Sequence, residues 1–144
     1  MHPFHRRRSS LWGLLFLALC AGPALSAAPA PAPGWREIQI PTTGSYLWRY
    51  VPASLDASHP APAVIFLHGA GGRPESYRNF VVAAAERAGC VVVAPKSSSN
   101  LGWGLGADAE TVREGLRLVQ EEFQEEMAID SRRVGIAGHS AGGA

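Results

Sequence analysis

Cysteine is nearly absent from this chain: its 144 residues include only Cys20 and Cys90. Cys20 lies in a segment that reads as removable, so no disulfide can form within the mature part shown, the alternative being that Cys90 of an exported protein pairs with a cysteine outside it. Cys90 opens an apolar run and reads as a small buried hydrophobe. An excess of one charge is lacking too. The chain has 13 Lys and Arg against 12 Asp and Glu, with no basic stripe to hold nucleic acid or anionic lipid. Long apolar runs are missing except for "LWGLLFLALCAG" at 11–22, which falls short of the roughly 20 residues of a membrane-spanning helix. No stable membrane span is expected.

That one run sits inside a recognisable address label. A basic stretch, "MHPFHRRRSS", precedes it and the small-residue stretch "PALSAAPAPAPG" comes after it, so residues 1–27 are expected to be a secretory signal cleaved near Ser26 to Ala28. The protein is then exported, to the periplasm or beyond the cell. One alternative is a lipoprotein attached at Cys20, although Leu19 is bulky where a small residue is expected. A twin-arginine signal at Arg7 and Arg8 is a second, with Ser10 replacing an apolar residue. Removing Arg6, Arg7 and Arg8 leaves 10 basic against 12 acidic residues, a net charge of about −2.

The rest has the composition of a folded domain, with 47% apolar residues overall. Residues 28–34 form a Pro/Ala linker. "WREIQI" (35–40) and "SYLWRYV" (45–51) alternate in polarity around "PTTG", which predicts an antiparallel hairpin. "AVIFL" (63–67) and "CVVVA" (90–94) are continuous apolar runs, as in strands covered on both faces. Between them Tyr77, Phe80, Val81, Ala84, Ala85 and Ala88 recur at helical spacing, with Pro74 suited to the first turn and Gly89 to the exit. Val112, Leu116, Val119 and Phe123 mark a second helix from about Asp108, its expected cap, to Glu126. "RVGIA" (133–137) then reads as a third buried strand. Strands alternating with helices predict an α/β fold with a mostly parallel sheet.

Two glycine-rich stretches stand at the ends of such strands. Gly138-His139-Ser140-Ala141-Gly142 is G-x-S-x-G at the point where a strand ends and a helix is expected. A serine on so tight a turn takes strained backbone angles, glycines two positions away remove collisions, and the hydroxyl is pushed out at the carboxyl edge of the sheet. A helix starting there would aim its amino end, and so a preference for negative charge, at the same spot. His68-Gly69-Ala70-Gly71-Gly72 succeeds another strand in the same way and has the form of a loop that offers N–H groups to an oxyanion.

With these two motifs in this order, the sequence resembles the α/β-hydrolase family from about Trp35 to Ala144. "YLWRYVPASL", "AVIFLHGAGG", "CVVVAPKSSS" and "IDSRRVGIAGHSAGG" are most similar to its secreted polyester depolymerases, feruloyl esterases and carboxylesterases. The resemblance implies an α/β-hydrolase fold and acyl transfer from a small or polymeric ester to water. It assigns Ser140 as nucleophile and the N–H groups of Ala141 and Ala70 as oxyanion donors, with Gly71 a near alternative to Ala70. Gly138, Gly142, Gly69 and Gly71 are the motif glycines. No metal or organic cofactor is implied, and oligomeric state is not readable.

In that family an acid and a histidine come after the serine, and only four residues remain beyond Ser140 here. The histidines present are poor substitutes as a base. His139 adjoins Ser140 on a tight turn, His68 belongs to the glycine loop, His59 lies in a polar link, and His2 and His5 leave with the signal. Asp108 and Asp130 read as a helix cap and a turn residue. The expectation is therefore the N-terminal part of a longer hydrolase, inactive and poorly stable alone. A serine peptidase of the same fold and a degenerate, non-catalytic hydrolase-like domain are the other readings. In "KSSSNLGWGLGA", Trp103 is a candidate aromatic contact at the pocket mouth, while Trp35 and Trp48 read as packing residues of the hairpin.

Overall fold

The computed structural model of the chain describes residues 32–56, 58–124 and 129–144. The expected signal segment 1–27, the linker as far as residue 31 and the expected helix end at Glu126 lie outside the described residues. Strand β1 (Gly34–Ile40) and β2 (Ser45–Val51) form the expected hairpin, in register from Gly34 opposite Val51 to Ile40 opposite Ser45. Gly44 closes it in the left-handed region (φ +65°), its N–H bonded to Ile40 O at 2.9 Å.

Strands β3 (Ala61–Leu67), β4 (Val91–Pro95) and β5 (Ile129–Gly138) complete a five-stranded sheet in the order β1-β2-β4-β3-β5. β3 pairs in parallel with both β4 and β5, whereas β2 joins β4 antiparallel. Helix α1 (Arg78–Ala88) connects β3 to β4, and α2 (Ala107–Gln124) comes after β4. The continuous apolar runs have a direct cause. On β4, Val91 and Val93 face a cluster with Val119 and Phe123 of α2, while Val92 and Ala94 face Val81 and Ala85 of α1. Each such fully buried Val or Phe contributes about 1.5–3 kcal/mol. Cys90 is buried beside α1, and burial pushes its thiol up from the usual range.

The helix boundaries obey the local signals, but three packing expectations need correction. Pro74 opens a 3₁₀ turn (Pro74–Tyr77) ahead of α1, and Gly89 ends α1 with φ +58°. Of the expected α1 face, Val81 and Ala85 are buried, whereas Phe80 is 65% exposed. On α2 the buried stripe is Thr111, Gly115, Val119 and Phe123; Val112 and Leu116 are only half-buried. Gly115 is the reason: a Cβ there would stand 2.6 Å from Leu47 Cδ2, so the helix sits against β2 at a distance only small residues allow. β5 is a strand, as expected; its apolar run reads as buried, but here it is exposed, as the reading of this chain as part of a longer hydrolase expects of its last strand. It is the edge of the sheet with β3 its only neighbour among the described residues, and Ile136 is 71% exposed.

Asp108 is a further correction. α2 already begins at Ala107, and the Asp108 carboxylate does not cap it; it accepts the N–H groups of Ser98 (2.5 Å) and Gly104 (2.6 Å). It thereby ties down the loop between β4 and α2. Burial alone raises this carboxyl, but those backbone donors, with the Lys96 charge, outweigh it and hold it below the usual carboxylate range.

Candidate active site

Parallel pairing sets the ends of β3 and β5 side by side, Leu67 opposite Gly138, and His139 N–H extends the pairing to Leu67 O at 3.0 Å. The chain then reverses at Ser140. Its φ of +53° is the only positive φ on a non-glycine residue among the described residues, a conformation that costs an L-residue about 1–2 kcal/mol. Ser140–Gly142 form a single 3₁₀ turn, with Gly142 N–H bonded to His139 O (3.0 Å) and Gly143 N–H to Ser140 O (2.8 Å). This turn brings individual N–H groups to the spot.

The motif glycines are explained by clearance. A Cβ on Gly138 would overlap the carbonyl of Gly142, and one on Gly142 would overlap the carbonyls of Leu67 and His68. The bend therefore closes only if both positions lack side chains, and closing it leaves Ser140 exposed at the carboxyl edge of the sheet.

The His68–Gly72 loop beside it is held from several directions. His68 is 1% exposed, with Nδ1 2.8 Å from Gly69 O and Nε2 accepting Ser97 N–H at 3.2 Å. Those partners require a neutral ring with its proton on Nδ1. Burial, aided by the nearby Lys96 charge, lowers its pKa against the pull of Gly69 O. His68 is thus a sealed structural link rather than a base. Trp103 gives its indole N–H to His68 O (2.7 Å) with the rings 5.1 Å apart, so it braces this loop.

The N–H groups of the glycine loop can be accounted for one by one. Gly69 donates to Tyr77 Oη (3.2 Å), Gly71 to Asn100 O (2.7 Å) and Gly72 to Gly69 O (3.0 Å). Gly71, at φ +69°, is thereby committed elsewhere as a donor. The N–H groups of Ala70 and Ala141 have no acceptor among the described residues. Gly102 passes against Ala141, since a Cβ on it would lie 3.2 Å from Ala141 Cβ, so the loop after β4 runs alongside the elbow.

The remaining residues weighed from the sequence lie elsewhere. His59, bonded to Asp56 at 2.8 Å, precedes β3, and Asp130, bonded to Arg133 Nε at 2.8 Å, stands at the start of β5; both are at the opposite end of the sheet from Ser140. Trp35 and Trp48 pack edge to face at 5.8 Å on the hairpin. His139 turns its Nδ1 to Tyr77 Oη at 3.0 Å. Sequence reasoning misses the parts played by Tyr77, Ser97 and Asn100. Tyr77 looks like one more apolar helix position, and the other two act through their backbone groups, which no residue type reveals. Among the described residues no cluster of His, Cys, Asp and Glu is placed to hold a metal ion, and no helix is long and apolar enough to cross a membrane.

Comparison with known proteins adds the family context. A sequence model of the alpha/beta hydrolase family matches residues 64–144. A search of curated proteins finds no match. Among solved structures, an esterase of Pyrobaculum calidifontis is similar at 25% identity and a TM-score of 0.59, over 78% of this chain and 37% of its own. A thermophilic carboxylesterase cloned from a metagenomic library is similar at 25% identity and a TM-score of 0.59, over 81% of this chain and 40% of its own. An acetyl xylan esterase from Aspergillus awamori shares the fold at 19% identity and a TM-score of 0.63, over 76% of this chain and 43% of its own. The chain thus spans about two-fifths of the length of these esterases.

Proposed function

Since this chain belongs to the alpha/beta hydrolase family, we propose that it carries the nucleophile and the oxyanion hole of an exported serine esterase. Ser140 Oγ gives its proton to a base and bonds to the carbonyl carbon of a carboxylic ester. The carbonyl electron pair moves onto oxygen, where the N–H groups of Ala141 and Ala70 receive it. Collapse of this intermediate expels the alcohol, which takes up the proton, and leaves Ser140 acylated. Water then attacks the acyl-enzyme through the same hole and releases the acid. Losing one such donor typically costs about 3–4 kcal/mol in the transition state.

One observation carries the reading: an exposed serine in a strained left-handed bend, next to a loop in which every N–H from Gly69 to Gly72 is spent except that of Ala70. The 25% identity to proteins described as an esterase and a carboxylesterase supports ester cleavage as the activity. His68 is sealed and His139 is engaged with Tyr77, so the base and its acid partner are assigned to a part of the complete protein other than the described residues. The described part alone is then inert. Residues 1–27 direct export.

The test is fluorophosphonate labelling of the complete protein together with turnover of short acyl esters and of peptides. Labelling and ester turnover lost in Ser140→Ala support the assignment; labelling that persists in Ser140→Ala refutes it. Peptide cleavage that exceeds ester cleavage would move the protein to the peptidases of this fold. A complete protein that is never labelled would instead be a non-catalytic hydrolase-like domain.

A further inference from the structure

The ring of Tyr77 packs 5.2 Å from Phe66, and that contact alone accounts for an aromatic residue here. It does not account for the hydroxyl. Tyr77 Oη accepts the N–H of Gly69 at 3.2 Å and lies 3.0 Å from Nδ1 of His139, 62 residues further along the chain. It is therefore the point where the glycine loop after β3 meets the serine bend after β5. The tyrosine itself is fixed from below: Glu75, in the same 3₁₀ turn, accepts hydrogen bonds from Tyr46 Oη (3.0 Å) and Trp48 Nε1 (2.9 Å) of the hairpin.

Clearances around Gly69 make the same point independently. A Cβ on Gly69 would stand 3.1 Å from both His139 Nδ1 and Tyr77 Oη, and one on Gly72 would stand 3.3 Å from Tyr77 Cε2. Gly69 thus leaves room for both the tyrosine and His139, while the closest neighbour of Gly72 is the carbonyl oxygen of Gly69 at 2.9 Å. The phenol oxygen accepts the Gly69 N–H and lies within hydrogen-bond distance of His139 Nδ1, so one hydroxyl bridges the two segments.

We propose that Tyr77 is a positioning residue for the esterase reaction, its hydroxyl clasping Gly69 to His139 so that the N–H of Ala70, one residue on, stays in register with Ser140 Oγ, one residue on from His139. This rests on the reading of Ser140 as nucleophile. The backbone pairing of β3 and β5 ends at Leu67 and His139, so beyond those residues the clasp is a side-chain tie between the segment that carries the donor and the one that carries the nucleophile. Oxyanion stabilisation depends on preorganised donors, and a clasp of this kind acts on the transition state more than on ground-state binding.

The experiment uses the complete protein and the variants Tyr77→Phe, His139→Ala and their combination. Fluorophosphonate titration counts the reactive serines, so kcat is expressed per labelled site and unfolded material drops out. Tyr77→Phe keeps the ring against Phe66, and kcat is expected to fall about tenfold with KM within about twofold. The double variant is expected to lose clearly less than the product of the two single losses, since both break one clasp. An unchanged kcat per labelled site in Tyr77→Phe, or fully multiplicative losses in the double variant, would overturn the proposal. Ser140→Ala run alongside separates the two claims: if it still turns over ester, the nucleophile reading falls and the clasp with it. If it is dead while Tyr77→Phe matches the wild type, only the clasp falls.

Discussion

Replacing Asp108 by asparagine removes a charge while keeping the side chain's shape, and it isolates what holds the loop beside the serine. One carboxylate oxygen accepts Ser98 N–H at 2.5 Å and the other accepts Gly104 N–H at 2.6 Å, in a residue only 3% exposed. Asparagine can accept one of these with its oxygen but sets its NH₂ against the other, donor facing donor. The loss is one charge-assisted bond, worth about 1.5–3 kcal/mol, and the remaining buried N–H is left without a partner. A net cost of about 3 kcal/mol is a large share of the 5–15 kcal/mol typical of a domain. With a urea slope of about 2 kcal/mol/M, the midpoint of unfolding followed by circular dichroism should fall by about 1.5 M at pH 7. The carboxyl is held below its ordinary value of 3.8 in the fold, so its contribution is fully present above that value. It is lost as the pH falls through the still lower folded value, where a protonated Asp108, like asparagine, has no charge with which to hold both N–H groups, its hydroxyl oxygen remaining only a weak acceptor. The difference between wild type and variant should therefore narrow only below about pH 4. Equal midpoints at pH 7, or a gap that is the same at every pH, would refute the reasoning.

Two further outcomes rest on the geometry. Gly142→Ala places a Cβ on the carbonyls of Leu67 and His68, and since a backbone wall cannot yield as a side chain can, the variant should lose about 2–3 kcal/mol of stability and all reactivity of Ser140 towards fluorophosphonate; full labelling would count against the elbow geometry. Tyr50, 7% exposed, is pushed up to about 12 by burial and then by its hydrogen bond to Glu86. Its stabilising effect is whole below the ordinary value of 10 and fades as the pH rises towards 12. Tyr46 is raised as well, by burial and then by its hydrogen bond to Glu75, so absorbance titration at alkaline pH should show late ionisation from both, and Tyr50→Phe should remove the part near 12.

The parts of the fold legible in the sequence are those decided by burial on both faces or by a turn's own backbone. β3 and β4 are legible because each alternate residue meets a different helix, which forces an unbroken apolar run. Gly44 and Gly89 are legible because left-handed angles select glycine. The buried stripe of α2 is not, because hydrophobicity ranks side chains and says nothing about clearance: Gly115 faces the sheet because it lets the helix approach Leu47. Burial of Ile136 cannot be read from β5 itself, since it depends on what lies alongside an edge strand. The serine and its flanking glycines are in plain view. Tyr77 is not, because at helical spacing among apolar residues a tyrosine reads as a ring, and its hydroxyl acquires meaning only when β3 and β5 bring residues 69 and 139 together.

The strain at Ser140 and the order of the glycine loop have a common source. A left-handed serine persists only where its surroundings leave no alternative. Here the bend is walled by the carbonyls of Leu67 and His68, which belong to β3 and its loop. That loop in turn is held by the backbone of Ser97 and Asn100 and by the indole of Trp103, all in the connection after β4, and that connection is anchored to α2 through Asp108. The serine's conformation is thus paid for by elements that precede it in the chain. An oxyanion hole works only if its donors are in place before charge develops. In this fold Ala70 is left free because its neighbours' N–H groups are each committed, so removing any one of those commitments should give the loop a competing way to satisfy itself and weaken the hole without touching Ser140.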